Sequence, residues 1–415
     1  MIPEGWIPAE LGELADFASG GTPSKQNGNF WGGTFPWVSA KDLKRHTIDG
    51  AELCLTEAGR KAANTAPIGA VLVLVRGMTL LKDVPIGYAS VPLAFNQDIK
   101  ALIAKGHVDP KFLAYLLVSL KRPLMSLVNT ANHGTGRLDT NLLKSFPVLL
   151  PPIEEQRRIA SRLETWDRSI ETVEALIANA RAQKQALMQQ LLPQGTTPPK
   201  KRLPGFSGEW RETNIENVAR VLVSNVDKKS VKGERPVRLC NYMDVYRSDQ
   251  IVADMDFMAA TATEAQIRKF GLKVGDVIIT KDSETPDDIA IPTILQTTTP
   301  DLVCGYHLAI LRPKDGTDGQ FLKFFFEHPR TRHFFASRAN GATRFGLTVG
   351  AIETAPISLP NHAEQKEIGN VILAAETEIH RLKSILTAHR QEKAALMQQL
   401  LTGKRRVKLP ESEVA

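Results

Sequence analysis

The heptapeptide ALMQQLL occupies residues 186–192 and returns at residues 395–401, 209 positions later. Seven identical residues in a row are improbable by chance in a chain of 415 residues, so an internal repeat is the first hypothesis. The same offset aligns Pro147 with Pro356, Pro151 with Pro360, Glu155-Gln156 with Glu364-Gln365, and DPKFL at 109–113 with DGQFL at 318–322. The chain is therefore predicted to contain two divergent copies of one unit, at roughly 1–195 and 203–403.

Composition indicates a globular chain with a basic bias. Apolar residues make up 42% and charged residues 23%, and a chain of this length is typical of two or three domains. The net charge of +7 is compatible with nucleic-acid binding, although many ordinary enzymes share it. Cys54, Cys240 and Cys304 form no CxxC pair, which indicates neither disulfides nor zinc and favours a cytoplasmic location.

The sequence indicates neither a signal peptide nor a membrane-spanning segment. The first residues, MIPEGWIPAE, lack the basic and apolar regions of a signal peptide. The most apolar stretch, APIGAVLVLV at 66–75, is too short to cross a membrane and is typical of a buried strand.

Each copy contains a mixed segment followed by one long helix. Short apolar runs such as FPWVS, VLVLV, DVIIT and HLAILR predict strands, and 109–121 and 318–328 predict helices. PPIEEQ and LPNHAEQ carry the proline and acidic residues of helix starts. The predicted limits are a first domain at 1–150, a helix at 151–194, a linker at 195–205, a second domain at 206–358, a helix at 359–403 and a disordered tail at 404–415.

Both long helices show an apolar seam whose spacing alternates between four and three residues. This heptad pattern predicts that the two helices pair with each other rather than packing only on their own domains. Lys184 and Lys393 interrupt the seams at the same layer, and a polar core residue can fix register and partner choice. Residues 159–191 span about 48 Å as a helix, so the pair is expected to hold the domains at a fixed separation. The apolar seam positions are Ile159, Leu163, Trp166, Ile170, Val173, Ile177, Ala180, Leu187, Leu191, Ile368, Ile372, Ala375, Ile379, Leu382, Leu386, Leu396 and Leu400, with His389 as a further member.

Several longer stretches resemble the specificity subunit of type I restriction-modification enzymes. In the first copy these are GWIPAELGELADFASGGTPSK, FPWVSAKDL and FPVLLPPIEEQRRIASRLE. In the second copy they are LCNYMDVYRSD, KVGDVIITKDS and PISLPNHAEQKEI, where the usual paired prolines are reduced to Pro360. The resemblance extends over nearly the whole chain.

The resemblance implies an α+β fold with an internal pseudo-twofold repeat. Two mixed α/β target recognition domains would be separated by two long helices that pair as an antiparallel coiled coil. Each domain would read one half of a split, asymmetric double-stranded DNA target, and the helices would set the gap and dock two methyltransferase subunits. Restriction and translocase subunits would join this core, and S-adenosylmethionine, ATP and magnesium would belong to the partners, with no cofactor on this chain.

Two alternatives stay open at this level. The chain could serve a fused nuclease-methyltransferase, or it could be a coiled-coil scaffold that reads no DNA. Motifs for catalysis are not found: the only Pro-Pro pairs, in LPPI and TPPK, do not fit the [NDS]-P-P-[YF] loop of adenine methyltransferases, and there is no GxxxxGK[ST] loop or HExxH pattern. Asp42-Leu43-Lys44 has the Asp-x-Lys spacing of some nucleases, but such triplets are common. The sequence therefore predicts a non-catalytic chain.

Candidate DNA-binding residues lie in glycine-rich or polar loops beside basic or amide side chains, because lysine and arginine bind phosphates and sequence is read at base edges. SGGTPSK offers a phosphate site, WVSAK places alternate residues on one strand face, and NHGTGR and NGATR occupy similar places before the two long helices. For each segment, an ordinary structural role is the competing interpretation, and Trp37 in particular is typical of a core residue. The candidates are Ser19, Thr22, Ser24, Lys25, Trp37, Ser39, Lys41, Arg76, His133, Thr135, Arg137, Lys228, Lys229, Arg238, Asn241, Tyr242, Lys281, Thr343 and Arg344.

Overall fold

The computed structural model describes residues 2–130 and 134–407. It contains two compact units, which do not coincide with the two sequence copies. Unit 1 combines Met1–Val173 with Ile385–Ala415, and unit 2 is Glu174–Ser384. Each unit therefore includes part of both long helices.

Unit 1 is built from short strands and short helices. Its strands are β1 (Ile7–Glu10), β2 (Ala15–Ser19), β3 (Trp31–Val38), β4 (Thr47–Ile48), β5 (Leu53–Leu55), β6 (Thr65–Ala66), β7 (Val71–Leu74), β8 (Arg76–Gly77), β9 (Ile86–Ala89), β10 (Leu93–Phe95), β11 (Ile99–Ala104), β12 (Val128–Thr130), β13 (Gly136–Leu138) and β14 (Pro147–Leu150). Its helices are α1 (Leu11–Leu14), α2 (Glu57–Lys61), α3 (Pro110–Ser119), α4 (Lys121–Met125), α5 (Thr140–Lys144) and the start of α6 (Ile153–Leu191), with 3₁₀ turns at Gly28–Phe30 and Met78–Leu81.

Four sheets organise these strands. The five-stranded sheet has the order β2-β11-β7-β9-β4, and the four-stranded sheet has the order β5-β3-β10-β6. Strand β7 is buried along its whole length, as its VLVL sequence predicts for a central strand. Strands β12, β13 and β8 form a small exposed sheet, and β1 pairs with β14.

Unit 2 repeats this plan. Its strands are β15 (Arg211–Asn214), β16 (Ala219–Val223), β17 (Arg235–Cys240), β18 (Gln250–Ile251), β19 (Met258–Ala262), β20 (Val277–Thr280), β21 (Asp282–Ser283), β22 (Pro292–Leu295), β23 (Leu302–Cys304), β24 (Leu308–Pro313), β25 (Phe345–Gly346) and β26 (Pro356–Leu359). Its helices are α7 (Ile215–Val218), α8 (Tyr242–Arg247), α9 (Glu264–Phe270), α10 (Gly319–Glu327), α11 (Pro329–Ala336), α12 (Val349–Glu353) and most of α13 (His362–Leu400), with a 3₁₀ turn at Pro286–Asp288.

The five-stranded sheets of the two units correspond strand for strand, and the second sheet of unit 2 has one strand fewer than its counterpart. The order β16-β24-β20-β22-β18 corresponds to β2-β11-β7-β9-β4, and β19-β17-β23 corresponds to β5-β3-β10. Both β10 and β11 lie 209 positions before β23 and β24. The prediction of two similar mixed α/β domains with an internal repeat is confirmed.

The two long helices pack against each other, and they run antiparallel. In unit 1, the first half of α6 meets the last half of α13, where Ser169 Oγ lies 3.1 Å from His389 Nδ1. In unit 2, the last part of α6 meets the first half of α13, where Lys184 Nζ donates to Glu376 Oε1 at 2.6 Å. Each residue that comes later on α6 therefore pairs with one that comes earlier on α13, as predicted for an antiparallel coiled coil.

The two lysines that interrupt the seams each bind an acidic residue of the other helix. Lys184 pairs with Glu376 in unit 2, and Lys393 pairs with Asp167 in unit 1. These pairs are related by the 209-residue offset. The apolar seam positions are buried or half-buried in both helices. Matched ion pairs of this kind can fix the register of two paired helices, since they are more selective than apolar contacts.

The repeated heptapeptide has the same task in both units. Met188, Leu191 and Leu192 from the end of α6 belong to the core of unit 2. Leu400 and Leu401 from the end of α13 belong to the core of unit 1. The ALMQQLL at the end of α6 thus completes the core of unit 2, which contains the start of α13. The copy at the end of α13 completes the core of unit 1, which contains the start of α6. This shared packing explains why both copies keep the same apolar side chains.

The chain that follows each helix binds the first turn of the other helix. In unit 2, Arg202 donates to the buried carboxylate of Glu364, with Nη2 2.6 Å from Oε2. In unit 1, Arg406 donates to Glu155, with Nε 2.7 Å from Oε1, and Trp6 Nε1 donates to the same carboxylate. The expectation of a disordered tail from residue 404 is wrong for residues 404–407, because Arg406 is paired and Val407 is buried. Residues 408–415 lie outside the described part of the chain.

Replacing Arg406 by alanine is expected to destabilise unit 1. The side chain of Glu155 is 1% exposed, and without Arg406 the carboxylate keeps only the indole N–H of Trp6. Leaving a buried charge without its partner costs about 2 kcal/mol when water can reach the vacated space. The measurement is hydrogen exchange by mass spectrometry, which reports each unit separately. Arg405→Ala is the matched control, and equal effects of the two substitutions would contradict the assignment.

Candidate DNA-binding surfaces

Unit 1 carries a polar cleft of about 420 Å³ beside the end of β3. Two separate predicted segments meet there. SGGTPSK contributes Thr22 and Lys25, and WVSAK contributes Trp37, Ser39 and Lys41. The structure thus brings five of the predicted residues to one place.

A glycine holds the first of these segments against the cleft. A Cβ atom on Gly20 would lie 2.1 Å from the carbonyl oxygen of Asn96 and 2.4 Å from that of Phe95, so only glycine allows this approach. The next residue, Gly21, donates its N–H to Phe95 O at 2.8 Å. The segment is therefore fixed by its backbone.

The other side chains of this segment differ in whether neighbouring residues bind them. Lys100 Nζ donates to Ser19 Oγ at 2.5 Å, so Ser19 is tied to the neighbouring strand. Ser24 is exposed, and its carbonyl accepts from Trp31 Nε1 at 3.1 Å. Lys25 is exposed, with its Nζ 5.9 Å from the ring centre of Trp37. Lys25 has no ion-pair partner among residues 2–130 and 134–407, so its charge is available to a phosphate.

Trp37 forms the floor of the cleft. It is 4% exposed, its Nε1 donates to Gly21 O at 3.0 Å, and its ring meets Trp31 edge to face at 5.2 Å. Burial of this kind assigns Trp37 to the packing of the cleft, which was the competing interpretation.

The prediction that WVSAK forms one strand face is wrong beyond Val38, where β3 ends. Ser39 begins a tight turn, because its N–H and hydroxyl both donate to Asp42 Oδ2, at 2.8 and 2.9 Å. The other oxygen of Asp42 accepts from Glu52 N at 2.9 Å. Asp42 is thus a turn-forming residue, which agrees with treating Asp42-Leu43-Lys44 as a common triplet rather than a nuclease motif. Lys41 projects from the turn into solvent.

The small sheet β12-β13-β8 places two arginines directly opposite each other. Arg76 on β8 and Arg137 on β13 are cross-strand partners in the register, and both are exposed. Opposite Cα atoms in a sheet are about 5 Å apart, and like charges there repel. Within residues 2–130 and 134–407, neither guanidinium has a hydrogen-bond or ion-pair partner. No contact among the described residues offsets the repulsion between the two arginines, and the arrangement suits an anionic ligand.

Two further candidates precede Arg137. Thr135 is half-buried just before β13, and His133 lies outside the described residues.

In unit 2, the corresponding surface is a connected set of charged and aromatic side chains. His307 Nδ1 lies 2.8 Å from Asp282 Oδ2, and Arg344 Nη2 lies 2.8 Å from His307 Nε2. Lys281 Nζ donates to Asp282 Oδ1 at 2.6 Å. Lys228 lies over the ring of Tyr306 at 6.0 Å. Three predicted residues, Lys228, Lys281 and Arg344, therefore meet here.

The carboxylate of Asp282 stays ionised in this set. Burial alone would raise its pKa, but hydrogen bonds from Lys281 and His307, together with the charges of those side chains, outweigh burial and lower the pKa. Unit 2 thus neutralises part of its own positive charge at the position where unit 1 has Arg76.

The two arginines of the glycine-rich loops are not equivalent. Gly346 pairs with Asp282 in unit 2, as Arg137 pairs with Arg76 in unit 1. Arg344 therefore lies two residues earlier in the register than Arg137. The loops occupy similar places, as predicted, but they present their cations differently.

The remaining candidates of unit 2 fall into two groups. Arg238 and Asn241 are engaged within the unit: Arg238 donates to Asp301 Oδ2 at 3.1 Å and to Ala253 O at 2.6 Å, and Asn241 caps α8. Tyr242 donates to Ser283 Oγ at 3.2 Å beside β21. Lys229 and Thr343 are exposed.

Three residues at these two surfaces are absent from the sequence-based candidates. Gln97 lines the cleft of unit 1, and Tyr306 and His307 lie in the centre of the unit 2 set. All three belong to turns between apolar strands and carry no basic signal. The 209-residue offset, which aligns Gln97 with Tyr306, is the signal that could have found them.

Two further searches of residues 2–130 and 134–407 gave negative results. No helix there is long and apolar enough to cross a membrane. No group of three or more histidine, cysteine or acidic residues there could hold a metal ion.

Two similar α/β units with a pair of antiparallel helices are the fold of type I restriction-modification S subunits. The crystal structure of the S subunit from M. genitalium matches with a TM-score of 0.59 at 13% identity, over 99% of this chain and 97% of that one. At this identity the likeness shows the fold alone.

Sequence comparison points to the same proteins. Residues 3–180 match the family model described as type I restriction modification DNA specificity domain. The EcoR124I/EcoR124II specificity subunit of Escherichia coli is 32% identical over 160 residues, which are 38% of this chain and 40% of that protein. The putative MjaX specificity subunit of Methanocaldococcus jannaschii is 23% identical over 421 residues, 98% of this chain and 95% of that protein. The resemblance predicted from sequence is confirmed.

Proposed function

We propose that this chain is the DNA sequence-specificity subunit of a type I restriction-modification complex. In this proposal, unit 1 reads one half of a split DNA target and unit 2 reads the other half. The observation that carries DNA binding is the placement of Arg76 opposite Arg137 with no neutralising partner among the described residues, because such a pair is stabilised by phosphates. The different charge pattern of unit 2 supports an asymmetric target.

In the same proposal, the paired helices α6 and α13 set the gap between the two half-sites. They also dock two methyltransferase subunits, and restriction and translocase subunits join that assembly. Catalysis belongs to these partners, together with S-adenosylmethionine, ATP and magnesium. The chain itself selects the sequence and transfers no group. A chain that serves a fused nuclease-methyltransferase would use the same surfaces.

The test is a methylation map. This chain is co-expressed with its methyltransferase partner, and the host DNA is sequenced for modified adenines. A split, asymmetric motif with a fixed gap is the expected result. Absence of modification from an assembled complex, whose methyltransferase is active with another specificity subunit, would contradict the proposal and favour a scaffold that reads no DNA.

Shortening both helices is expected to shorten the gap. Deleting one heptad from each helix, in register, removes about 10 Å of helix, which corresponds to about 3 base pairs of DNA. The same methylation map measures the spacing. The control deletes one heptad from α6 alone, which mismatches the seams and is expected to abolish assembly. If the variant with one heptad deleted from both helices still methylates targets with the original gap, the helices do not set the gap.

A further inference from the structure

The turn between two equivalent strands differs between the units. In unit 1, residues 96–98 join β10 to β11, and in unit 2, residues 305–307 join β23 to β24. The flanking strands are largely buried and apolar in both units, and their positions agree with the 209-residue offset. The turn itself is Asn-Gln-Asp in unit 1 and Gly-Tyr-His in unit 2. The two turns thus connect equivalent strands but carry different side chains.

In unit 1, the turn lies between the polar cleft and the arginine pair. Gln97 is exposed and lines the cleft, and its Oε1 accepts from Thr22 Oγ1 at 2.7 Å. The carbonyl of Asp98 accepts from Val75 N at 2.8 Å, immediately before Arg76. Gln97 therefore stands beside both groups of predicted DNA-binding side chains.

In unit 2, the turn has the same neighbours. Tyr306 N donates to Val226 O at 2.9 Å, next to the Lys228 segment, and its ring lies under Lys228. The carbonyl of His307 accepts from Lys281 N at 2.8 Å, immediately before β21. Tyr306 therefore occupies the place that Gln97 occupies in unit 1.

The backbone of the unit 2 turn adopts an uncommon conformation at His307. His307 has a φ of +70°, a conformation that a histidine seldom adopts. Its ring is fixed by Asp282 and Arg344. The histidine thus keeps contacts that a glycine at this position would lose, which indicates that the side chains of this turn are specifically placed.

We propose that this turn reads one base in each half-site, through Gln97 in unit 1 and Tyr306 in unit 2. The inference rests on the proposed function and assigns two specificity-determining residues to it. The carboxamide of glutamine can bind N6 and N7 of adenine together in the major groove. Oε1 of Gln97 keeps a second lone pair beside the Thr22 bond, and that bond fixes the orientation of the amide.

Tyr306 reads its base by a different chemistry. Its ring lies beside Lys228, with Nζ 6.0 Å from the ring centre, and beside His307, whose ring centre lies 3.7 Å away. The hydroxyl of Tyr306 can donate and accept one hydrogen bond at a base edge. The two halves of the target are therefore read by an amide and by a hydroxyl at equivalent positions.

The test compares methylation maps for the complex of the full chain with its methyltransferase partner. Gln97→Glu keeps the side-chain shape but cannot donate to adenine N7, and it can accept from cytosine N4. Methylation of targets with adenine at one position of the first half-site is expected to fall about tenfold, with a gain at cytosine there. Tyr306→Phe is expected to relax one position of the other half-site only. Each half-site is the internal control for the substitution in the other unit.

Three outcomes separate the alternatives. If both variants keep the original motif with unchanged rates at every target, the turn does not read bases, although the proposed function stands. If Gln97→Glu lowers methylation equally at all targets, Gln97 contacts the DNA backbone and the base-reading assignment is overturned. If the starting complex yields no split motif, the proposed function itself fails. Thermal unfolding of each variant, expected to match the starting protein, excludes a folding defect as the cause.

Discussion

Replacing Glu376 by glutamine is expected to lower the free energy of unfolding of unit 2 by about 3 kcal/mol. The side chains of Glu376 and Lys323 are 2% and 1% exposed, and Lys184 and Glu327 complete the set. Glu376 Oε1 accepts from Lys184 at 2.6 Å and from Lys323 at 2.7 Å. Without its charge, Glu327 is the carboxylate that remains hydrogen-bonded to the two buried lysines. Hydrogen exchange measured by mass spectrometry is expected to increase across unit 2 and to stay unchanged across unit 1.

A paired substitution provides the control. Lys184→Met together with Glu376→Leu removes one cation and one anion, and it leaves Lys323 paired with Glu327 at 2.8 Å. This double variant is expected to lie closer in stability to the starting protein than Glu376→Gln, because a balanced apolar replacement leaves no buried charge unpaired. If Glu376→Gln were as stable as the starting protein, the ion cluster would not be what holds α13 in unit 2.

The same cluster gives a pH dependence with a defined sign. Burial would raise the pKa of Glu327, but the charges and hydrogen bonds of Lys323 and Lys184 outweigh burial and lower it. A carboxyl with a lowered pKa stabilises the folded state above its unfolded pKa, and that stability is lost as the pH falls through the folded pKa. Unit 2 is therefore expected to lose stability on acidification below the ordinary glutamate pKa, about 4.3.

The repeat and the helix pairing could be predicted because they depend on periodic, local patterns. The 209-residue offset and the alternation of four and three are visible in the letters, and they place Lys184 and Lys393 at the same layer. The assignment of each helix end to a unit could not be predicted. A heptad pattern shows which face of a helix is apolar. It does not show whether Leu191 or Leu400 packs into the core of unit 1 or of unit 2.

The candidate sites show a similar limit. Loops with glycine and basic residues were found, and five of their side chains meet in one cleft. Arg238 has the same appearance in sequence, yet its guanidinium binds Asp301, a residue 63 positions away. Gln97 and Tyr306 gave no basic signal; the 209-residue offset aligns them, but it does not show that they lie beside the candidate DNA-binding residues. Charge in sequence therefore identifies cations, while tertiary contacts decide which of them remain available.

Replacing both Arg76 and Arg137 by alanine is expected to weaken DNA binding about a hundredfold, through loss of two charge-assisted contacts of about 1.5 kcal/mol each. Since each phosphate contact contributes about 0.9 to the salt slope, the slope of log K against log salt is expected to fall by about 1.8. Unit 1 is expected to be as stable as before or slightly more stable, because the repulsion between opposite arginines is removed. Titration of the assembled complex with DNA at several salt concentrations measures both quantities.

Three variants decide how these arginines act. Arg157→Ala removes one exposed charge from α6, and it is expected to leave the salt slope unchanged. Arg344→Ala is expected to reduce binding less than the double variant, because Arg344 is already bound to His307, which in turn contacts Asp282, in the free protein. Replacing Arg76 and Arg137 by lysine keeps the charge but loses the planar fork that binds guanine O6 and N7. Full binding with an unchanged motif would then assign both arginines to phosphates, whereas retained binding with a relaxed base position would assign at least one of them to a guanine. A double alanine variant with an unaltered salt slope would exclude both roles, since DNA would then bind elsewhere on unit 1.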